Sequence, residues 1–167
     1  MVYTFSFGSI HSSKKGEDKI MWTIADYQNG PFTVTTDRRR VQLERVVYFL
    51  ARSYWANGRS RETIVKSLDH SLCFSLFHGE RQIGMARVIT DGATFAYLCD
   101  VFIDEAYRGQ GLGKWLLSCV LAHPGVAAVR KVMLATKDAH GLYEQFGFTA
   151  PGEPEWLMER IQEPRTE

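Results

Sequence analysis

Cysteine is scarce in this chain, and what there is lies scattered. Cys73, Cys99 and Cys119 stand among apolar neighbours and form no C-x-x-C pair. That argues against a disulfide framework or a zinc site and for a reducing compartment; no metal is expected. An excess of charge of one sign is also missing. Twenty Lys and Arg face nineteen Asp and Glu, a net charge of +1, so no broad basic surface points to nucleic acid. No apolar run approaches the roughly 20 residues of a membrane span. The opening MVYTFSFGSIHSSKKGEDK lacks the basic start and long apolar stretch of a secretory signal. The expectation is a cytoplasmic protein with no membrane or nucleic-acid partner.

The composition that remains is ordinary. The 167 residues, 45% hydrophobic and 23% charged, suffice for one domain with a full core. Residues 1–20 read as a polar, flexible extension, with Met21 an alternative start, and residues 21–167 as a single domain. FTVTT (Phe32 to Thr36) alternates and is β-branched, a strand. Asp37 then stands as the N-cap of a helix through RRRVQLERVVYFLARSYW. A second helix, Arg61 to Leu68, is capped by Ser60 with Val65 and Leu68 turned inward. SLCFSLFH, RQIGMARVIT and TFAYLCDVFI follow, separated by turns at His78-Gly79-Glu80 and Asp91-Gly92, and predict an antiparallel meander. An amphipathic helix runs from about Leu112 to Ala122 and stops at His123-Pro124-Gly125. KVMLAT is a further strand, and DAHGLYEQ a short helix capped by Asp138. FGF begins a last strand region, and the tail EWLMER reads as an edge strand. The order β-α-α-β-β-β-α-β-α-β is a mixed α/β domain (α+β in character).

The segment that calls for chemistry is YRGQGLGKWLL, Tyr107 to Leu117. It fails the P-loop pattern, because Gly109 and Gly113 are one residue too close and Trp115 follows Lys114 where a hydroxyl is needed. It fails the Rossmann pattern, because Gly113 comes one residue early and the preceding strands are antiparallel. What survives is a strand, a glycine loop and a helix N-terminus. The free N–H groups of a helix's first turn favour an anion by about 0.3–1 kcal/mol at an exposed site. Glycines let a phosphate approach the backbone, and Arg108 and Lys114 add positive charge. A glycine-rich turn with ordinary helix packing is the plainer reading of the same residues.

Arg108-Gly109-Gln110-Gly111-Leu112-Gly113 resembles the R/Q-x-x-G-x-G/A acyl-CoA pyrophosphate loop of the GNAT N-acetyltransferase superfamily. DVFIDEAYRGQGLGKWLL resembles that family's strand, bulge, loop and helix. LATKDAHGLYEQFGF resembles its second conserved segment, ending in Tyr-x-x-x-Gly-Phe. The resemblance covers about Arg81 to Phe148. It implies a twisted, mostly antiparallel central sheet with helices on both faces, and acetyl-CoA as co-substrate. The pyrophosphate would meet the N–H groups of Gln110, Gly111, Gly113 and Lys114, with Arg108, Gly109 and Leu112 completing the loop. The pantetheine arm would pair like a strand with Val101, Phe102 and Ile103, and the N–H near Val101 would serve the oxyanion. Thr136 stands where many relatives carry Asn, so its contact to the arm departs from the pattern.

The resemblance also implies acetyl transfer to a primary amine by direct attack in a ternary complex. Tyr143 matches the tyrosine beside the CoA sulfur, a proton donor for the leaving thiolate. By pattern alone it is a packing residue of an amphipathic helix. Asp100, at the end of the central strand, is the best-placed carboxylate to accept the amine's proton, and His140 a second candidate. A hydrogen-bonded residue at a β-bulge explains Asp100 as well. The family's acceptor pocket is built from the first two helices and their loop, here SYWANGRSRE. Tyr54, Trp55, Asn57 and Arg59 make an aromatic and cationic surface suited to a substrate carboxylate. A turn with Trp55 in the core and Arg59 solvated fits equally. Arg87 faces the cleft or pairs with Asp100. The acceptor reads as a small molecule; a protein Lys or N-terminus is the alternative, and an acyl-CoA sensor the non-catalytic one. The exposed end of the sheet and the EWLMER tail offer a homodimer contact.

Overall fold

The computed structural model describes residues 5–6 and 22–162. The expected extension, residues 1–20, lies outside them apart from Phe5–Ser6, which forms β1. The described residues fall into two compact units, one ending at Ala135 and one starting at Thr136.

The first unit is built on a seven-stranded sheet ordered β1 to β7 along the chain. β1 pairs antiparallel with β2 (Asp26–Asn29), and β2 with β3 (Phe32–Thr35). The strand β2 goes beyond the sequence expectation. Its residues, DYQN, carry one buried apolar side chain, Tyr27, too little for a period-2 signal. β4 (Leu72–His78), β5 (Arg81–Thr90) and β6 (Phe95–Ile103) form the expected meander. Its second turn is tied by the Asp91 carboxylate, which accepts from the backbone N–H groups of Ala93, Thr94 and Phe95. β7 (Lys131–Met133) is shorter than KVMLAT suggested and is the one parallel neighbour, pairing with β6.

Helices cover both faces, as the alternation of side chains along β4 shows. Cys73 packs in a cluster with Val46 and Leu50 of α1 (Leu43–Ala51) and Ile64 and Leu68 of α2 (Arg61–Asp69). The next residue, Phe74, points to the opposite face, where its ring meets His123 at the end of α3 (Leu112–Ala122), 5.4 Å between centroids. α3 buries Leu112, Trp115, Leu116, Leu117, Cys119 and Val120. β4 and β5 are therefore buried on both sides, which is why they read as continuous apolar runs. The fold is mixed α/β with a mostly antiparallel sheet.

Three local expectations are corrected. Asp37 caps only a 3-10 turn, Arg38–Arg40, accepting from the Arg39 N–H at 3.0 Å; the chain then turns extended at Val41, and α1 starts at Leu43. Ser60 does cap α2, accepting from the Thr63 N–H, but the buried pair is Ile64 and Leu68, one i,i+4 stripe, with Val65 at its margin. The breakers after α3 start a one-turn helix, α4 (Pro124–Ala127), for which the His123 side chain is the N-cap.

In the second unit, α5 spans His140–Tyr143 and runs into a 3-10 turn, Glu144–Phe146, closed by Gly147 at φ 81°. Asp138 does not cap α5. Thr136 Oγ1 accepts the Ala139 N–H at 3.1 Å instead, one step ahead of the helix. Neither FGF nor EWLMER is a strand: a 3-10 turn, Pro154–Trp156, interrupts the tail. Pro151 and Pro154 lack the N–H that a ladder requires.

Candidate active site

The glycine loop begins where β6 ends. Asp104 accepts from the Ala106 N–H and from Arg45 Nη2 at 2.7 Å, which fixes the turn after the strand. Arg108 Nε donates to the Ile103 carbonyl at 3.1 Å and so folds the loop back on β6. Gly109 and Gly111 both hold φ 76°. A Cβ at either would meet nothing within 4 Å. The need for glycine is therefore the left-handed backbone itself and an open approach. Gly111 is the N-cap of α3 and offers no side chain to its first turn; the first intrahelical bond runs from the Trp115 N–H to the Gly111 carbonyl. The N–H groups ahead of Trp115 are thus presented at the loop. Gln110 and Lys114 are exposed beside them, and Leu112 anchors the turn in the core. The cradle suits an anion.

Along β6 the register breaks. Met85 pairs with Phe102 and Arg87 with Cys99, so Asp100 and Val101 together oppose Ala86. This is a β-bulge, two residues against one. Asp100 takes φ 51°, the one left-handed non-glycine among the described residues; Asp is among the few side chains that tolerate it. The extra residue puts Cys99 and Phe102, three apart, on the same face as Arg87 and Met85. On its other flank β6 pairs with β7 only from Phe95 to Tyr97. From Leu98 to Ile103, which includes Val101, Phe102 and Ile103, no strand among the described residues takes up that flank.

Asp100 is buried, and its carboxylate joins two guanidinium groups. Arg87 Nε donates to Oδ2 at 2.7 Å; Arg59 Nη1 donates to Oδ2 at 3.0 Å and to Oδ1 at 3.2 Å. Arg87 Nη1 also donates to Ser71 Oγ at 2.9 Å. Arg59 reaches the strand from the loop between α1 and α2, whose turn is closed by Asn57 N–H to the Ser53 carbonyl and Arg59 N–H to the Ala56 carbonyl. Trp55 is 42% exposed and Tyr54 56%, their rings edge to face at 5.0 Å. Trp55 is therefore not a core residue, and Arg59 is ion-paired and only partly exposed rather than free in solvent. The structure brings Arg59, Arg87 and Asp100 together and leaves Tyr54, Trp55 and Asn57 on the same loop as Arg59. Ser71 was not evident in the sequence, since an isolated serine before a strand carries no signal.

Three other observations bear on chemistry. Burial pushes the Cys99 thiol up to about 11 and the Cys73 and Cys119 thiols to about 12, so none is a ready nucleophile. Among the described residues no group of three or more His, Cys, Asp or Glu could hold a metal, and no helix is long and apolar enough to cross a membrane. Thr136 and Tyr143 belong to the second unit, where the Tyr143 ring lies 5.8 Å from that of Phe148.

Residues 69–150 match the family model of the acetyltransferase (GNAT) domain. A Gibberella zeae protein described as an acetyltransferase is 31% identical over 143 residues, 73% of this chain and 78% of that one. A crystal structure from Xanthomonas campestris, described as an acetyltransferase belonging to the GNAT family, shares 43% identity with a TM-score of 0.76, over 78% of this chain and 93% of that one. A Clostridium acetobutylicum structure described as an acetyltransferase with acetyl-CoA shares the fold at 15% identity, TM-score 0.57, over 77% and 94%. With a curated relative and a solved structure matched over most of their length, the chain belongs to the GNAT family of acetyltransferases.

Proposed function

We propose that this protein moves the acetyl group of acetyl-CoA to a primary amine of a small molecule, by direct attack in a ternary complex. The observation that carries the reading is the alignment in sequence of an open β6 flank, two left-handed glycines and an uncapped helix. Gln110, Gly111, Gly113 and Lys114 N–H groups would hold the pyrophosphate, with Arg108, Gly109 and Leu112 shaping the loop. Val101, Phe102 and Ile103 would offer the pantetheine arm the edge that β7 leaves uncovered. Thr136 is proposed as a hydroxyl contact to the same arm.

In the reaction the amine nitrogen bonds to the thioester carbon, the carbonyl re-forms as the C–S bond breaks, and that bond's electron pair leaves on sulfur. The nitrogen sheds one proton to water, and the phenolate left after Tyr143 protonates sulfur regains its proton from water. The N–H near Val101 is proposed to receive the developing oxyanion. Tyr143 is proposed to give its phenolic proton to the thiolate, on its place in the Tyr-x-x-x-Gly-Phe motif. The attacking amine must be neutral, and an alkylammonium has a reference pKa of about 10.4. A carboxylate offers about four acceptor directions, and guanidinium N–H groups take three of those on Asp100. We therefore assign Asp100 to holding Arg59 and Arg87 at the acceptor site rather than to taking the proton. Tyr54, Trp55 and Asn57 are proposed to line the acceptor's remaining surface. The scattered free cysteines support a cytoplasmic setting.

The test is acceptor-dependent thiol release from acetyl-CoA across amines, amino acids, polyamines and a Lys peptide, with CoA binding titrated separately. Release with a small amine supports the reading. Release with the peptide alone moves the acceptor to proteins. CoA binding without release from any acceptor identifies a sensor, and no CoA binding refutes the loop.

A further inference from the structure

The cluster at the β6 bulge holds more positive than negative charge. Two guanidinium groups meet one carboxylate, with side-chain exposures of 24% for Arg59, 8% for Arg87 and 2% for Asp100. Among the described residues no second acid lies within ion-pair distance of either arginine. Arg59 donates through Nη1 alone, and Arg87 through Nε and Nη1. Arg45 behaves otherwise: its Nε donates to the Gln82 carbonyl and its Nη2 to Asp104, so it is fixed at both ends. Each guanidinium has five N–H donors. The nitrogens that Arg59 and Arg87 leave unpaired are not sealed in the interior, so a group arriving from solvent can take them up, and the excess positive charge favours an anion. Arg59 is the member that still reaches solvent, and it lies on the loop that carries Tyr54 and Trp55.

We propose that the acceptor amine itself carries an anionic group, a carboxylate or a phosphate, which docks on the remaining N–H groups of Arg59 and Arg87 beside the bulge. This rests on the acetyl-transfer reading above and adds the substrate class to it. Asp100 then has a positioning role. It neutralises one of two charges and holds the planar guanidinium of Arg59 beside the bulge, where a forked contact to an oxyanion is favourable. The anion fixes the acceptor, and the amine at its other end is left to reach the thioester.

The test compares matched acceptors that differ only in the anionic group: phenylalanine against phenethylamine, and phosphoethanolamine against ethanolamine. Thiol release gives KM and kcat for each, and calorimetric titration of the same four compounds, with and without CoA, gives their binding directly. A charge-assisted contact predicts an anionic member favoured about ten- to a hundredfold in KM or Kd. Arg59→Gln should bring that ratio towards one, and Arg59→Lys should restore part of it, while the Kd for CoA moves less than about twofold. The pair that shows the preference distinguishes carboxylate from phosphate. Equal or better use of the neutral members, or a preference that survives Arg59→Gln, would overturn the proposal, as would the absence of Arg59-dependent binding by either anionic compound. Loss of CoA binding in wild type would refute the acetyl-transfer reading, and the titrations without CoA would still decide the anion site.

Discussion

Gln42 and Gln82 exchange hydrogen bonds across α1 and β5. The Gln82 amide oxygen accepts the Gln42 backbone N–H at 2.7 Å, and the Gln42 amide oxygen accepts the Gln82 backbone N–H at 3.0 Å. Gln42 is the N-cap of α1 and makes no cap bond of its own. The strand thus supplies what the helix start lacks. Gln82 is fully buried, and its amide nitrogen donates to Ser75 Oγ and the Gly84 carbonyl. Gln82→Leu strands several buried groups at once. It should lower the unfolding free energy by about 2–3 kcal/mol, since each orphaned group costs about 1–3 kcal/mol, as read by denaturant titration.

Gly111→Asp tests the anion cradle. Asp accepts a positive φ better than most residues, so the fold should hold within about 1 kcal/mol. The added carboxylate faces the proposed pyrophosphate. CoA affinity should fall at least about tenfold, and Gly111→Asn, of like size without the charge, should lose less. Calorimetry with CoA and a thermal melt of each variant separate the two effects.

Tyr143→Phe keeps the ring and its contact with Phe148. The acetylation rate should drop about 100- to 1,000-fold, the lower range for a lost general acid, with CoA affinity within about twofold. A rate equal to wild type would remove Tyr143 from the proton path.

His123 predicts how stability responds to acid. Its Nδ1 accepts the Gly125 N–H at 3.1 Å, and its Nε2 lies 2.9 Å from the Thr23 carbonyl, the arrangement of a neutral ring with its proton on Nε2. Burial holds its pKa below the ordinary 6.5, against a smaller opposing effect of the Thr23 carbonyl. The unfolded chain therefore binds the proton more readily than the folded one. The contribution is complete above about pH 6.5 and is lost as pH falls below it. Unfolding midpoints should be level from pH 8 to 7 and decline below 6.5. His123→Asn, which keeps a cap acceptor, should flatten that decline.

Much of this was legible where a signal is local. Ser60 and the apolar spacing after it placed α2, Gly111 and His123-Pro124-Gly125 bounded α3, and the turn residues separated β4, β5 and β6. The misses required distant partners. Asp37 is a good cap residue, but the docking of Gln42 on Gln82 sets where α1 begins. Thr136, not Asp138, meets the Ala139 N–H. β2 exists because β3 and β1 lie on either side of it. At the site, the glycine loop could be read from its motif. The pairing of Arg59 with Asp100 spans 41 residues and depends on a bulge that no spacing announces.

The flank of β6 from Leu98 to Ile103 has a further consequence. A strand lacking a neighbour is a template for another copy's backbone, and native proteins usually blunt such edges with charge or proline. VFI has neither. If CoA lies along it, the co-substrate also acts as a shield against self-association. The loaded protein should then stay monodisperse on prolonged incubation at concentrations where the empty protein clouds.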